Sequence, residues 1–141
     1  MDMQDAKLWL KKKILRQNDL FSDLDETRLD FLIGYAETKF LSEGEYLYRK
    51  GEEADDTFCI IIFGKVNIIG ERGDVVAVLK NGAILGEIGI IGLYNKRTAD
   101  VVAVEPTSIL EWTFSAINEK APYLLPKLKQ SALQKLSYSR R

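Results

Sequence analysis

Apolar and polar positions divide the chain into three stretches of different texture. Between residues 2 and 18, Leu8, Ile14 and Leu15, with Trp9 beside them, stand among charged residues without a Gly or Pro, which predicts a moderately amphipathic helix. The run SDLDE at 22–26 then offers side chains able to accept from the free N–H groups of a helix start. Leu29, Leu32 and Ile33 follow at helical spacing, so a second helix is expected over about 25–35. From residue 38 the pattern shortens. β-rich runs at 46–49, 57–62, 65–69, 75–79, 97–104 and 108–114 are punctuated by Gly44, Gly51, Gly64, Gly73, Gly82 and Gly86, the signature of a small antiparallel barrel or sandwich. Gly64 and Gly73 mark tight reversals. Tyr46 and Tyr48, two apart on one strand, are expected to share a face. Beyond Pro122 the pattern is helical again, from 123 to about 139 with Pro126 in the first turn. Leu125, Leu128, Ala132 and Leu136 form its apolar stripe, with Ser131, Lys135 and Tyr138 along the adjoining face.

Composition narrows the chemistry. With 141 residues, 46% hydrophobic and 29% charged, the chain reads as one ordinary globular domain. Twenty basic against 21 acidic residues leave a net charge of −1, so no general attraction to nucleic acid or membrane is expected, local patches apart. There is no histidine, which removes Ser-His-Asp and Cys-His nucleophiles, His-ligated zinc and non-haem iron. No metal site and no enzyme activity are expected. The single cysteine, Cys59, has no disulfide partner, and its apolar neighbours place it in the core. The apolar run at 59–63 is far too short to span a bilayer, and the N-terminus lacks the order of a secretory signal, so a cytoplasmic location is expected. Two basic clusters, Lys11, Lys12, Lys13 with Arg16 and the acid-free segment 121–141, are read as solvated faces.

One segment breaks the strand pattern. LGEIGIIGLYNKRTA, at 85–99, lies between two strands but is too long for a hairpin loop. It holds Gly86 and Gly89, room for one short helical turn at 87–91, and Arg97 followed by Thr98. Glycines let a ligand approach the backbone, N–H groups at a helix start face an anion, and an arginine adds charge: the parts of an anion cradle. Glu87 would be an odd partner for a phosphate but suits a sugar hydroxyl such as a ribose 2′-OH.

The string FLSEGEYLYRKGEEADDTFCIIIFGKV at 40–66, followed by Gly82, Gly86-Glu87 and Arg97-Thr98-Ala99, resembles the cyclic nucleotide-binding domain. That family includes catabolite activator proteins, regulatory subunits of cyclic-nucleotide-dependent kinases and cyclic-nucleotide-gated channels, and the resemblance spans about residues 20–139. It implies a mainly β fold with flanking α: an eight-stranded antiparallel, jelly-roll-like β-roll with N-terminal helices and a C-terminal lid helix. One domain over 1–141 is expected, with N-terminal helices at 1–36, the roll at 37–114 and C-terminal helices at 115–141. Residues 86–99 would be a phosphate-binding cassette for a 3′,5′-cyclic nucleotide, cAMP rather than cGMP, with no other cofactor. On this resemblance Glu87 would hold the ribose and Arg97 the cyclic phosphate. Gly86, Ile88 and Gly89 would line the phosphate, and Thr98 and Ala99 would complete the cassette. Lys135, Tyr138 and Ser139 are candidates to cap the base. Lys96 departs from a proline common in the family and adds charge near the phosphate; Asp100 is expected to face away from the ligand. The implied function is a ligand-sensing regulatory module acting on a protein effector or through self-association of its terminal helices. No residues follow for a DNA-recognition helix, so direct DNA binding is not expected. The alternative is a ligand-free or repurposed roll that serves as a protein-interaction module.

Overall fold

The computed structural model describes residues 2–91 and 96–139. Helices α1 (Met3–Leu15) and α2 (Glu26–Tyr35) are followed by strands β1 (Glu37–Leu41), β2 (Tyr46–Tyr48), β3 (Thr57–Phe63), β4 (Val66–Ile69), β5 (Val75–Leu79) and β6 (Ile84–Leu85). A 3₁₀ helix (Glu87–Ile91) leads towards β7 (Asp100–Ala103) and β8 (Thr107–Thr113). The chain ends in α3 (Phe114–Lys120), a 3₁₀ turn (Pro122–Leu124) and α4 (Leu125–Ser139).

The helix starts follow from side chains that satisfy orphan N–H groups. Asp2 accepts from Asp5 N at 2.8 Å and Asp25 from Arg28 N at 2.9 Å. The basic residues of α1 are only partly a solvated face. Lys12 pairs with Glu26 at 2.9 Å and Asp30 at 2.5 Å, and Arg16 with Glu26 at 3.0 Å, clipping α1 to α2.

The strands form two antiparallel four-stranded sheets, β1-β8-β3-β6 and β2-β7-β4-β5. The architecture is the β-roll with flanking helices. Strand β3 explains the unbroken apolar run of the sequence, because it is buried on both faces. Phe58, Ile60 and Ile62 pack with Leu110 and Trp112 against Leu15, Phe21, Leu29, Leu32 and Leu128 of the helical layer. On the alternate positions Cys59 and Ile61 join Tyr48, Val66, Leu85, Val101 and Ile109 inside the roll. Burial pushes the Cys59 thiol up to about 12. Trp112 Nε1 donates to Leu32 O at 2.8 Å, tying the roll to α2.

Several expectations from the sequence are corrected. Tyr46 and Tyr48 do not share a face: the register slips between them, Tyr46 pairing with Val102 and Tyr48 with Val101. Tyr46 is therefore exposed beneath Arg49, whereas Tyr48 is buried. Strands β1 and β6 carry too few apolar residues to stand out as runs; their partners β8 and β3 decide them. Strand β7 begins at Asp100 rather than residue 97. Strand β8 ends before Phe114, because the Thr113 hydroxyl accepts from Ala116 N at 3.0 Å and starts α3. The reversal at Gly64 stands as expected; with φ at 109°, a Cβ there would collide with Thr107.

Candidate functional site

A cavity of about 500 Å³ opens between the second sheet, the 3₁₀ helix and α4. Ile68, Leu79, Leu85 and Val101 supply much of its wall. Gly86, Glu87, Ile88, Gly89, Arg97, Thr98 and Ala99 all line it, as do Lys96 and Lys135. Two segments ten residues apart thus meet around one space. Tyr138 and Ser139 belong to the last turn of α4, but their side chains lie outside the described residues. Asp100 does not line the cavity; its Oδ1 accepts from Lys50 N at 2.7 Å.

Strand β6 is only two residues long, and the chain must turn sharply after it. Gly86 makes that turn at a φ of 86°, where side chains are strained. Space excludes them as well: a Cβ at Gly86 would lie 2.6 Å from Tyr48 Oη and 3.2 Å from Arg97 Nη1. The glycine lets the tyrosine and the guanidinium close on the backbone. The next residues form the 3₁₀ helix Glu87–Ile91, where sequence spacing placed a short turn.

Arg97 is only 8% exposed. Its backbone is fixed on both sides, N donating to Glu52 O at 2.8 Å and O accepting from Gly51 N at 2.9 Å. The guanidinium lies 3.8 Å over the Tyr48 ring, and Nη2 donates to Asp55 Oδ1 at 2.5 Å. Asp55 is fixed in turn by the Thr57 hydroxyl. Burial pushes the Tyr48 phenol well up, so the ring remains neutral beneath the cation. A guanidinium carries five N–H donors, and the bond to Asp55 engages one nitrogen of its fork.

Glu87 is 1% exposed, a carboxylate that burial would penalise heavily without partners. Those partners come from α4. Lys135 Nζ lies 2.7 Å from Oε1, and the Ser131 hydroxyl donates to Oε2 at 3.3 Å. Lys135 also donates to Ile84 O at 2.6 Å. Ser131 and Lys135 are four apart and therefore share one face of the helix.

Sequence reasoning singled out the segments that line the cavity but missed their supports. Tyr48 and Asp55 lay within the string that carried the resemblance without a role, because nothing local to them points at Arg97. Ser131 and Lys135 were visible as one helix face, yet only the packing of α4 shows that this face meets Glu87. Among the described residues no cluster of metal-ligating side chains occurs, and no helix is long and apolar enough to cross a membrane. The chemistry on offer is recognition. A buried cation suits an anion, a buried carboxylate suits hydroxyl donors, and apolar walls suit a flat ring system.

Comparison with known proteins gives the same direction. Residues 38–121 match the cyclic nucleotide-binding domain family. One cyclic nucleotide-gated cation channel protein of Drosophila melanogaster is 29% identical over 87 residues, covering 61% of this chain but only 13% of that protein. The chain therefore spans a small part of that relative's length. Among solved structures, the regulatory domain of Toxoplasma gondii PKA with cAMP is similar at a TM-score of 0.69 and 28% identity, over 84% of this chain and 45% of that one. A structure described as Sp-2Cl-cAMPS bound to PKAR CBD2 shares the fold at a TM-score of 0.77 and 19% identity, over 99% of this chain and 90% of that one.

Proposed function

The chain belongs to the cyclic nucleotide-binding domain family, and on that premise we propose that it is a regulatory sensor, without catalytic activity, that takes cAMP in preference to cGMP. The observation that carries this reading is one buried guanidinium and one buried carboxylate, Arg97 and Glu87, on a single cavity of about 500 Å³. That volume falls within the roughly 300–1,000 Å³ usual for small-molecule sites. Arg97 holds the cyclic phosphate, and Gly86, Ile88 and Gly89 let it approach the backbone. Glu87 accepts from the ribose 2′-OH. Thr98 and Ala99 line the phosphate side, and Lys96 adds positive charge there. The apolar walls take the purine.

Binding is read out through α4. Its contacts with Glu87 run through Lys135 and Ser131, and a ribose hydroxyl competes for that same carboxylate. Ligand entry thus frees Lys135 to cap the base, together with Tyr138 or Ser139 from the last turn, and α4 shifts as the lid. A ligand moves such an equilibrium only through its differential affinity for the two helix positions.

A second reading has an observation of its own. Arg97 and Glu87 already hold partners, Asp55 and Lys135, as they would in a roll that serves protein interaction without a ligand. Isothermal titration of the purified chain with cAMP and then cGMP decides between the two. Saturable heat with cAMP, tighter than with cGMP, supports the sensor. No heat with either, on folded protein stripped of co-purified nucleotide, overturns it in favour of the repurposed roll.

A further inference from the structure

The phosphate pole of the cavity is rimmed by acids. Gly51 N donates to Arg97 O, Arg97 N donates to Glu52 O, and Glu53 forms an isolated bridge with Lys96. The segment 51–56 that runs beside the two cations reads GEEADD, with acids at 52, 53, 55 and 56. These acids are not equivalent. Glu52 turns back to accept from Arg49 N at 2.9 Å, and Asp56 accepts from Ser115 N at 3.2 Å. Glu53 makes no ion pair among the described residues. Asp55 reaches the guanidinium, where its Oδ1 accepts from Arg97 Nη2 at 2.5 Å and also from the Thr57 hydroxyl. The Asp55 side chain is 65% exposed against 8% for Arg97, so the carboxylate stands at the rim with the cation behind it. Arg97 Nη1 lies against Gly86 on the cavity wall, 3.2 Å from where a Cβ there would stand. An anion can therefore dock on the Nη1 side of the fork while Nη2 stays on Asp55.

Among the described residues the charged side chains on the cavity wall are Glu87, Lys96, Arg97 and Lys135. Lys135 is paired with Glu87 and Arg97 with Asp55, which leaves Lys96 as the wall cation outside an ion pair. One uncompensated positive charge matches a ligand of one negative charge. We propose that Asp55 is a specificity-determining residue, which admits a monoanionic phosphodiester to Arg97 and rejects the dianion of a phosphomonoester such as 5′-AMP. The inference rests on the nucleotide reading of the site and adds to it the class of phosphate. A cyclic phosphate is a diester, with two free oxygens sharing one charge. A terminal phosphate ionises a second time at about pH 6, so in mildly alkaline buffer three free oxygens share two charges. The second charge meets the Asp55 carboxylate beside a buried guanidinium, where the low local dielectric strengthens repulsion as much as attraction. Glu53, across from Lys96, adds to the same field.

The test is calorimetric competition against bound cAMP, in mildly alkaline buffer, with 5′-AMP and with its phosphate methyl ester. The methyl ester is an open-chain monoanion, so the two competitors differ in charge but not in ring closure. On the wild-type chain the methyl ester is expected to bind more tightly than AMP, by on the order of tenfold. Asp55→Asn keeps an oxygen acceptor for Arg97 but removes the charge, and it is expected to bring the two competitors within about twofold. Asp55→Glu restores the gap. Position 55 is exposed, and unaltered melting temperatures verify that both variants fold. A purely structural Asp55 would weaken every ligand alike, so a ratio that Asp55→Asn leaves unmoved overturns the proposal. Exclusion of both open-chain compounds by wild type and variant overturns it too, because ring shape then rejects the monoester. Either result leaves the nucleotide reading intact, whereas failure of cAMP itself to bind the wild-type chain overturns both.

Discussion

The two charged poles of the cavity are held in opposite ways. Arg97 belongs to the roll: Tyr48 lies beneath it, Asp55 beside it, and backbone bonds to residues 51 and 52 fix its chain. Glu87 also sits on the roll, but its polar side-chain partners, Ser131 and Lys135, both come from α4. One pole is set by the scaffold, the other by a helix packed on it. A ligand that engages Arg97 finds a preorganised donor, and preorganisation lowers the ordering cost of binding. A ligand that engages Glu87 must compete with α4, so occupancy of that pole is coupled to the helix. On the proposed reading, the scaffold pole would supply affinity and the helix pole the signal.

The largest expected effect comes from breaking the scaffold pole. Arg97→Ala leaves the phosphate without its cation, a loss of ~2–5 kcal/mol by analogy with buried charge pairs, or roughly 30- to several-thousand-fold in affinity. Calorimetry with cAMP should therefore show no micromolar binding, and an unchanged affinity would sink the phosphate assignment. Gly86→Ala attacks the same pole from the backbone. Its positive φ and its 2.6 Å approach to Tyr48 Oη predict displaced Tyr48 and Arg97 side chains. Strain of about 1–3 kcal/mol should appear as a lowered melting temperature alongside weakened binding.

Glu87→Gln addresses the helix pole. It keeps the shape but offers the ribose hydroxyl a neutral acceptor in place of a charged one, so a loss of up to about 1.5–3 kcal/mol, or roughly 10- to 150-fold in affinity for a ribose ligand, is expected. The 2′-deoxy analogue of cAMP should discriminate poorly between wild type and this variant; a full discrimination would argue against a ribose role. Lys135→Met sharpens the comparison further. It should speed amide exchange along α4 in the unliganded chain, while Asp55→Ala, at the other pole, should leave α4 exchange unchanged. Equal effects of the two substitutions would dissolve the distinction.

The smallest effect concerns the surface clips. The Lys127 ammonium holds the Asp23 carboxyl below its ordinary range, and Lys12, followed by Arg16, does the same for Glu26. Both carboxyls bind protons less readily in the folded chain. Their contribution to stability is therefore present above the usual carboxylate pKa and fades as pH falls through and below it. Melting curves taken from neutral towards acid pH should show this slope, and Lys127→Met should flatten it slightly.

How much was legible in the sequence differs between elements for physical reasons. Strand β3 was plain because burial on both faces demands an apolar run, and the cavity-lining segment 86–99 stood out because it is too long for a hairpin loop, while what it would bind came from the resemblance. Strands β1 and β6 were hidden, since pairing with β8 and β3 rather than composition makes them strands. The slip between Tyr46 and Tyr48 could not be read, because alternation assumes an unbroken register and a bulge leaves no mark on so short a run. Asp55 reaches Arg97 across 42 residues and Lys135 reaches Glu87 across 48.

The sequence by itself determined the kind of molecule: a glycine-punctuated small antiparallel barrel or sandwich with the parts of an anion cradle and no histidine chemistry. Local rules govern those features, namely side-chain periodicity, positive φ at glycine and the functional groups available. Only the tertiary structure decided which partner each buried charge would hold, and so which pole is rigid and which is tied to α4. Charge pairing in the interior depends on which surfaces meet, and that is a property of the packed fold rather than of any stretch of chain.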